Sequence, residues 1–331
     1  MKKIVITSIN YPTEAVRMFS KLKNFSLIVV GDKKTPPEWS CAGVEFISAE
    51  SQGSLNYKII QKMPFNHYSR KMIGYLNAIE NGAHVIIDTD DDNLPLEGYG
   101  FPEFDGNFET IPFDQGFVNI YKLFTKQHIW PRGFPLKLIN SARNNDIQIS
   151  PPELCKVGIW QGLADKDPDV DAIYRLVDGS ECVFQKRLPI VLTKGTYCPF
   201  NSQNTAYRKE LFELLYLPAY VTFRFTDILR GLVAQPIMEA LGYRLGFLEA
   251  TVEQLRNPHD YLKDFESEIP CYLLPEKINE LARSCVNPEN SVGQNLRAVY
   301  SALFQAGVVP QEEIELLDCW LIDLQQLNFR Q

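Results

Sequence analysis

The sequence predicts an α/β fold built on a mostly parallel sheet. Three observations carry this: short β-branched runs recur at residues 3–8, 25–30, 44–47 and 84–87, stretches of helical period lie between them, and turn residues mark the junctions. Strands separated by helices run in the same direction within one sheet, because a parallel neighbour needs a crossover.

The first run, Lys3-Ile4-Val5-Ile6-Thr7-Ser8, reads as a buried strand. Asn10-Tyr11-Pro12-Thr13-Glu14 then turns the chain into a helix expected to reach residue 23. The second strand, 25–30, stops at Gly31-Asp32-Lys33-Lys34-Thr35-Pro36-Pro37, and 44–47 is a short third. Residues 55–63 and 65–81 read as helices, the latter with Tyr68, Met72, Tyr75, Leu76 and Ile79 on one face and Gly82 as its cap. Strand four, 84–87, runs into acids. Residues 94–119, rich in Pro, Gly and Phe, form a long excursion. Strand signals follow at 117–125, 157–164 and 190–193, with a turn at 131–135 and mixed signals at 168–175. Helices are expected at 208–216 and 225–241 and a strand at 244–248. From residue 275 the apolar spacing is helical throughout, so the expected organisation is a main domain over 1–270 and a C-terminal helical extension over 271–331.

Composition narrows the function. A net charge of −8 argues against nucleic acid or anionic membrane as a general partner, since both require basic surface. Seven cysteines without CxxC spacing indicate neither a disulfide framework nor a zinc finger, and favour a reduced, cytoplasmic setting. No apolar run approaches the length of a membrane span, and the N-terminal apolar run is too short for a signal peptide.

Strand four empties into Asp88-Thr89-Asp90-Asp91-Asp92-Asn93, four carboxylates in five residues. Such a cluster repels itself unless a cation or a set of donors lies among the acids, and a divalent metal is the leading expectation; the alternative is a solvated acidic turn. An EF-hand loop is rejected, because Asn93 and Tyr99 stand where Gly and Glu are needed. A haloacid-dehalogenase-type phosphatase fits weakly, since its Asp-x-Asp usually ends the first strand and Asp92 stands where Thr or Val belongs. In a parallel sheet, ligands bind beyond the carboxyl ends of the strands. Topology therefore brings Thr7, Ser8 and Asn10, then Asp32, then Asp88, Asp90, Asp91 and Asp92, to one place. Arg70 and Lys71 supply cations close by, with either phosphate or an acidic neighbour as partner. Asp227, at an expected helix start, is a candidate base or simply an N-cap.

The chain also resembles a known family. Ser8-Ile9-Asn10-Tyr11-Pro12, Gly31-Asp32-Lys33-Lys34-Thr35-Pro36, Arg70-Lys71-Met72-Ile73-Gly74-Tyr75-Leu76, Asp88-Thr89-Asp90-Asp91 and Arg256-Asn257-Pro258-His259 resemble the STELLO-type glycosyltransferase-like proteins. The stretch 194–207 and Arg224-Phe225-Thr226-Asp227 are also similar to the reversibly glycosylated polypeptides, which include UDP-arabinopyranose mutases. These matches run from about residue 4 to 266 and leave the helical tail outside.

The resemblance implies a GT-A domain, Rossmann-like with flanking helices, that binds a nucleoside diphosphate sugar, most simply a UDP-sugar. It implies that Asp32 and the Thr7, Ser8, Asn10 loop meet nucleobase and ribose, that Arg70 or Lys71 meets ribose or diphosphate, and that Asp88 and Asp91 belong to the nucleotide-sugar site. It further implies that Asp88, Asp90, Asp92 and His259 hold Mn²⁺ or Mg²⁺, and that Asp227 is the base of an inverting transfer to a glycan or glycolipid acceptor in polysaccharide biosynthesis. Trp160, Asn204 and Arg224 are candidate wall residues. A nucleotide-sugar mutase and a non-catalytic scaffold of the same fold remain open, as does a homo-oligomer. The membrane anchor of the STELLO proteins has no counterpart in this sequence, so their Golgi residence does not transfer.

Overall fold

The computed structural model describes residues 1–141, 146–255 and 259–327. Twelve strands are named in chain order: β1 Lys2–Thr7, β2 Ser26–Val30, β3 Val44–Ile47, β4 Val85–Thr89, β5 Asn93–Pro95, β6 Asp105–Ile111, β7 Gly116–Phe117, β8 Ser150–Asp165, β9 Ile190–Leu192, β10 Thr196–Tyr197, β11 Asn204–Arg208 and β12 Arg244–Gln254. The helices are α1 Glu14–Phe19, α2 Ala49–Gln52, α3 Lys71–Glu80, α4 Ala172–Val177, α5 Thr226–Ala240, α6 Tyr261–Ser267, α7 Ile269–Leu273, α8 Pro275–Cys285, α9 Val292–Gln305 and α10 Gln311–Gln326.

The expected parallel sheet is present in its first half. Strands β3, β2, β1 and β4 lie side by side and parallel. Strands β1, β2 and β4 read clearly in sequence because both faces are covered, which makes each an apolar run, while β3 is a short edge strand with Glu45 exposed. Beyond β4 the sheet turns mixed. Strand β11 joins β4 antiparallel and leads to β8, which is 16 residues long. One part of β8 pairs with β6 and the next with β12, while β9 bridges β6 and β12, so these four strands close on one another.

Several expectations change at this point. The excursion over 94–119 carries most of β5, and β6, both in the main sheet, and β7, which pairs with β10 in a separate two-stranded sheet. Strand β11 falls in a stretch without strand alternation, since all but its last residue are buried. The strand expected over 117–125 is confined to Gly116–Phe117, which pairs with the equally short β10, and a 3₁₀ turn follows at Ile120–Leu123. Helix 55–63 reduces to a 3₁₀ turn at Lys58–Gln61, and the segment from 65 becomes regular only at α3. Helix α1 stops at Phe19, and the predicted helix at 208–216 is 3₁₀ with a non-helical Leu211 inside. Gly82 takes φ +73 after α3, the left-handed conformation its position predicts.

Helix α3 lies against β1 and β2 through Gly74. A methyl group there would stand 2.5 Å from Val5 and 2.8 Å from Val30, so the bare backbone lets the helix approach and carries Lys71 inward. The C-terminal helices pack into this same core. Ile278, Leu296, Leu317, Trp320 and Leu324 belong to one apolar cluster with Met72, Leu76 and Leu229. Helix α10 is further tied down: Trp320 Nε1 donates to the Glu213 carbonyl at 3.0 Å, and Asp323 accepts from the Lys58 and Ile59 amides at 2.7 and 2.9 Å. Among the described residues no helix is long and apolar enough to cross a membrane.

Candidate functional site

The carboxyl ends of β1, β2 and β4 open into a cavity of about 450 Å³, where the sheet topology places ligands. Of the residues predicted for the site, Thr7, Ser8, Asn10, Asp32, Arg70, Asp90, Asp91, Asp92, Asp227 and His259 all line it. Lys71 and Asp88 do not; both are wholly buried behind it. Of the motif at 256–259, only His259 falls within the described residues. Its ring lines the cavity, with Nδ1 3.0 Å from an Asp264 oxygen.

The nucleotide-side loops are braced by one another. Thr35 Oγ1 accepts from the Asp32 amide at 2.8 Å and donates to the Ser8 carbonyl at 2.7 Å, joining the loops after β1 and β2. The Asp32 carboxylate receives the backbone amides of Lys33 and His67 at 2.6 and 3.3 Å. Arg70 spends its donors on the protein: Nε reaches Gln52 at 2.7 Å, Nη1 reaches the Met63 carbonyl at 3.2 Å, and the guanidinium lies over Phe65. It holds the wall rather than reaching into the cavity. Beside it stands an aromatic surface that the sequence did not suggest, with the His67 and Tyr68 rings stacked at 5.4 Å and Phe223 edge-on to both. Burial lowers the His67 imidazole to about 4, so it is neutral at physiological pH.

The four acids at the end of β4 are compensated by side chains. Lys71 Nζ donates to Asp88 Oδ1 at 2.8 Å, to Asp90 Oδ1 at 2.9 Å and to the Thr89 carbonyl at 2.8 Å. Arg230 reaches the other Asp88 oxygen at 2.8 Å. Asp91 accepts from Ser8 Oγ at 2.5 Å and Asn10 Nδ2 at 3.2 Å, and Asp92 accepts from Gln254 Nε2 at 3.1 Å. Burial opposes the charge on Lys71, and the two carboxylates more than offset it, so the ammonium stays protonated. Enclosure in the wall pushes the Asp90 carboxyl up to about 7, Lys71 works against this, and Asp92 and Asp88 add to it, although 39% of the Asp90 side chain still faces the cavity.

The expected metal shell of Asp88, Asp90, Asp92 and His259 therefore does not match the geometry. Asp88 has both oxygens on fixed cations, and Asp90 shares an oxygen with Lys71. Among the described residues no group of three or more His, Cys, Asp or Glu side chains stands close enough to hold a metal ion. The electrostatic reason for expecting an ion, a cluster of unscreened carboxylates, is answered at Asp88 and Asp90 by Lys71 and Arg230, and at Asp91 and Asp92 by the neutral donors Ser8, Asn10 and Gln254.

Across the cavity lies a second charged group. Asp227, in the first turn of α5, faces Arg132, whose Nη1 and Nη2 donate to the Asp227 carboxylate at 3.2 and 3.1 Å. The same guanidinium grips Asp169 through two 2.8 Å bonds and donates to the Arg224 carbonyl. The Ser202 amide adds 3.1 Å to Asp227. Burial alone would raise the Asp227 carboxyl, but the Arg132 guanidinium overrides it and holds the carboxyl below the usual range. A chain of amides links the two halves: Gln254, bonded to Asp92, accepts from Gln203 Nε2 at 2.6 Å, and Gln203 Oε1 accepts from the Asp169 amide at 3.2 Å.

Arg132 was missed because it sits in Pro131-Arg132-Gly133-Phe134-Pro135, where the only sequence signal is a turn. Its partners are 37 and 95 residues away. Of the candidate wall residues only Arg224 lines the cavity. Trp160 is a core residue beside Phe108, and Asn204 is buried with its side chain bonded to Thr251 and Tyr99.

Comparison with known proteins finds similarity to one family. The family model of the STELLO glycosyltransferases matches residues 224–331, which takes in α5 and the helical tail that the motif resemblance left out. Two Arabidopsis thaliana proteins, described as "Probable glycosyltransferase STELLO1" and "Probable glycosyltransferase STELLO2", are each 26% identical to the chain, over 349 and 351 aligned positions that cover all of it. They are longer proteins, and the chain spans 45% of each. These similarities support a STELLO-type kinship, and the mixed sheet flanked by helices is consistent with a GT-A-like fold.

Proposed function

We propose that the protein transfers a sugar from a nucleoside diphosphate sugar, with UDP as the nucleotide, to a hydroxyl of a glycan or glycolipid. The observation that carries this reading is the placement of Arg132. A permanently charged guanidinium lies on the cavity wall across from the loops of β1, β2 and β4, paired with a carboxylate that also lines the cavity. A planar guanidinium is suited to grip diphosphate oxygens, and a bound diphosphate would take over the donors that Arg132 now gives to Asp227. The aromatic surface of Tyr68 and Phe223 offers a face for a nucleobase, and Asp32 and Asn10 offer acceptors and donors for base and ribose.

In this reading Asp227 takes the proton of the acceptor hydroxyl as its oxygen attacks the anomeric carbon and the bond to the diphosphate breaks, releasing the nucleoside diphosphate with inversion. Asp227 is ionised at neutral pH, as a base must be, but Arg132 weakens it. Diphosphate drawing on Arg132 loosens that ion pair and returns basicity to Asp227 when the donor is bound. No step in this scheme uses a metal ion.

The test is a thermal-shift screen of nucleotide sugars followed by product analysis, because a ligand that binds only the folded state raises the melting temperature. UDP-sugars are expected to stabilise the protein. Asp227→Asn is expected to keep that stabilisation and to lose transfer by about 10²-fold or more. Conversion of a UDP-sugar without acceptor into a ring isomer, followed by NMR, would overturn transfer in favour of a mutase. Absence of any nucleotide-dependent shift would overturn the donor site itself.

A further inference from the structure

We propose that Lys71 and Arg230 are the built-in counter-cations of the acids at the end of β4, so that this chain binds its nucleotide ligand without a divalent metal. The nucleotide part rests on the function proposed above; the cation part rests on the protein alone.

A metal held jointly by Asp88 and Asp90, two of the four expected ligands, would have to lie between their carboxylates. Lys71 Nζ occupies that position, within 2.9 Å of Asp88 Oδ1, Asp90 Oδ1 and the Thr89 oxygen. An ammonium has three hydrogens, and these three acceptors use all of them. The remaining Asp88 oxygen is taken by Arg230, whose Nη2 also meets Ser202 Oγ at 2.8 Å. The arrangement is set by packing. Lys71 opens α3, Gly74 lets that helix press on β1 and β2, and the lysine side chain is wholly excluded from solvent. Displacing the ammonium to admit a metal would leave the wholly buried Lys71 without its carboxylate partners, and a buried charge without a partner is costly. Arg132 lines the cavity itself, and a bound diphosphate can take over the donors it now gives to Asp227.

The experiment uses the full chain and two probes, Mn²⁺ and UDP. In Mn²⁺ titrations followed by electron paramagnetic resonance, the wild type is expected to leave the spectrum of free Mn²⁺ unchanged. Lys71→Met, with its fold checked by circular dichroism, is expected to acquire saturable Mn²⁺ binding that Lys71→Met/Asp90→Asn lacks. Calorimetric titration of UDP is expected to give dissociation constants within about twofold of each other in EDTA and in excess Mn²⁺. Saturable Mn²⁺ binding by the wild type that Asp90→Asn abolishes overturns the proposal, as does tightening of UDP by about tenfold or more on adding Mn²⁺. A folded Lys71→Met that binds no Mn²⁺ also overturns it, because the lysine is then not what holds the ion out. The wild-type titration decides the question if Lys71→Met fails to fold. Failure of UDP to bind at all counts against the donor site, and the Mn²⁺ titration still decides the cation claim.

Discussion

Glu313, on α10, is buried where the helical tail meets the segment leading to the Arg224 and Asp227 wall of the cavity. Its Oε2 accepts from the backbone amides of Ala219 and Tyr220 at 3.0 and 2.7 Å, and its Oε1 is paired with the Tyr216 hydroxyl. Burial raises the carboxyl from 4.5 to about 7, with the hydrogen bonds of Tyr216 and the two amides opposing the rise. Its unfolded counterpart loses a proton near 4.5, so between that pH and about 7 the folded state binds more protons than the unfolded one. Stability from this group is therefore fully present at low pH and is lost as pH rises through 7. At about 1.4 kcal/mol per pH unit the interval is worth about 3 kcal/mol. Glu313→Gln keeps the shape, an acceptor for both amides and a donor for Tyr216, but has no proton to lose. Urea denaturation of both proteins at pH 5 and pH 8 measures the effect. The stability of the wild type relative to Glu313→Gln is expected to fall by about 3 kcal/mol across that range. A difference that is the same at both pH values refutes the reasoning, since the carboxyl would then titrate alike in both states.

Three further outcomes follow from the site. Arg230→Met removes one of the two cations on Asp88 and is expected to destabilise the fold by about 3–5 kcal/mol, read by denaturant titration. Gly231→Ala would place a methyl group 2.4 Å from the Phe200 carbonyl oxygen; displacement of α5 by this contact is expected to cost about 1–3 kcal/mol and to reduce transfer through Asp227, measured by melting and by product formation. Phe223→Ala takes away an aromatic face that is 51% exposed at the cavity, and is expected to weaken UDP binding by about fivefold to tenfold with little change in melting temperature, checked by calorimetry.

How far the sequence could be read depended on the range of the interactions involved. The parallel strands β1, β2 and β4 were legible because each is an apolar run covered on both faces, and from their order alone the loops holding Ser8, Asp32 and Asp90 could be brought to one end of the sheet. The helical tail was legible by period. Its share in the main core was not, because that depends on contacts such as Asp323 with the Lys58 and Ile59 amides, more than 260 residues apart. Strands β6 and β11 were lost for a related reason: pairing with β8 makes them strands, and their own alternation does not. The acids at the end of β4 show the same division. Sequence alone determined that four carboxylates end a buried strand and require positive charge among them. Only the tertiary structure decided that the charge comes from Lys71 and Arg230, brought from 17 residues before Asp88 and 142 after it, since a cation's partner is chosen by distance in space and that distance is set by how α3 and α5 pack on the sheet.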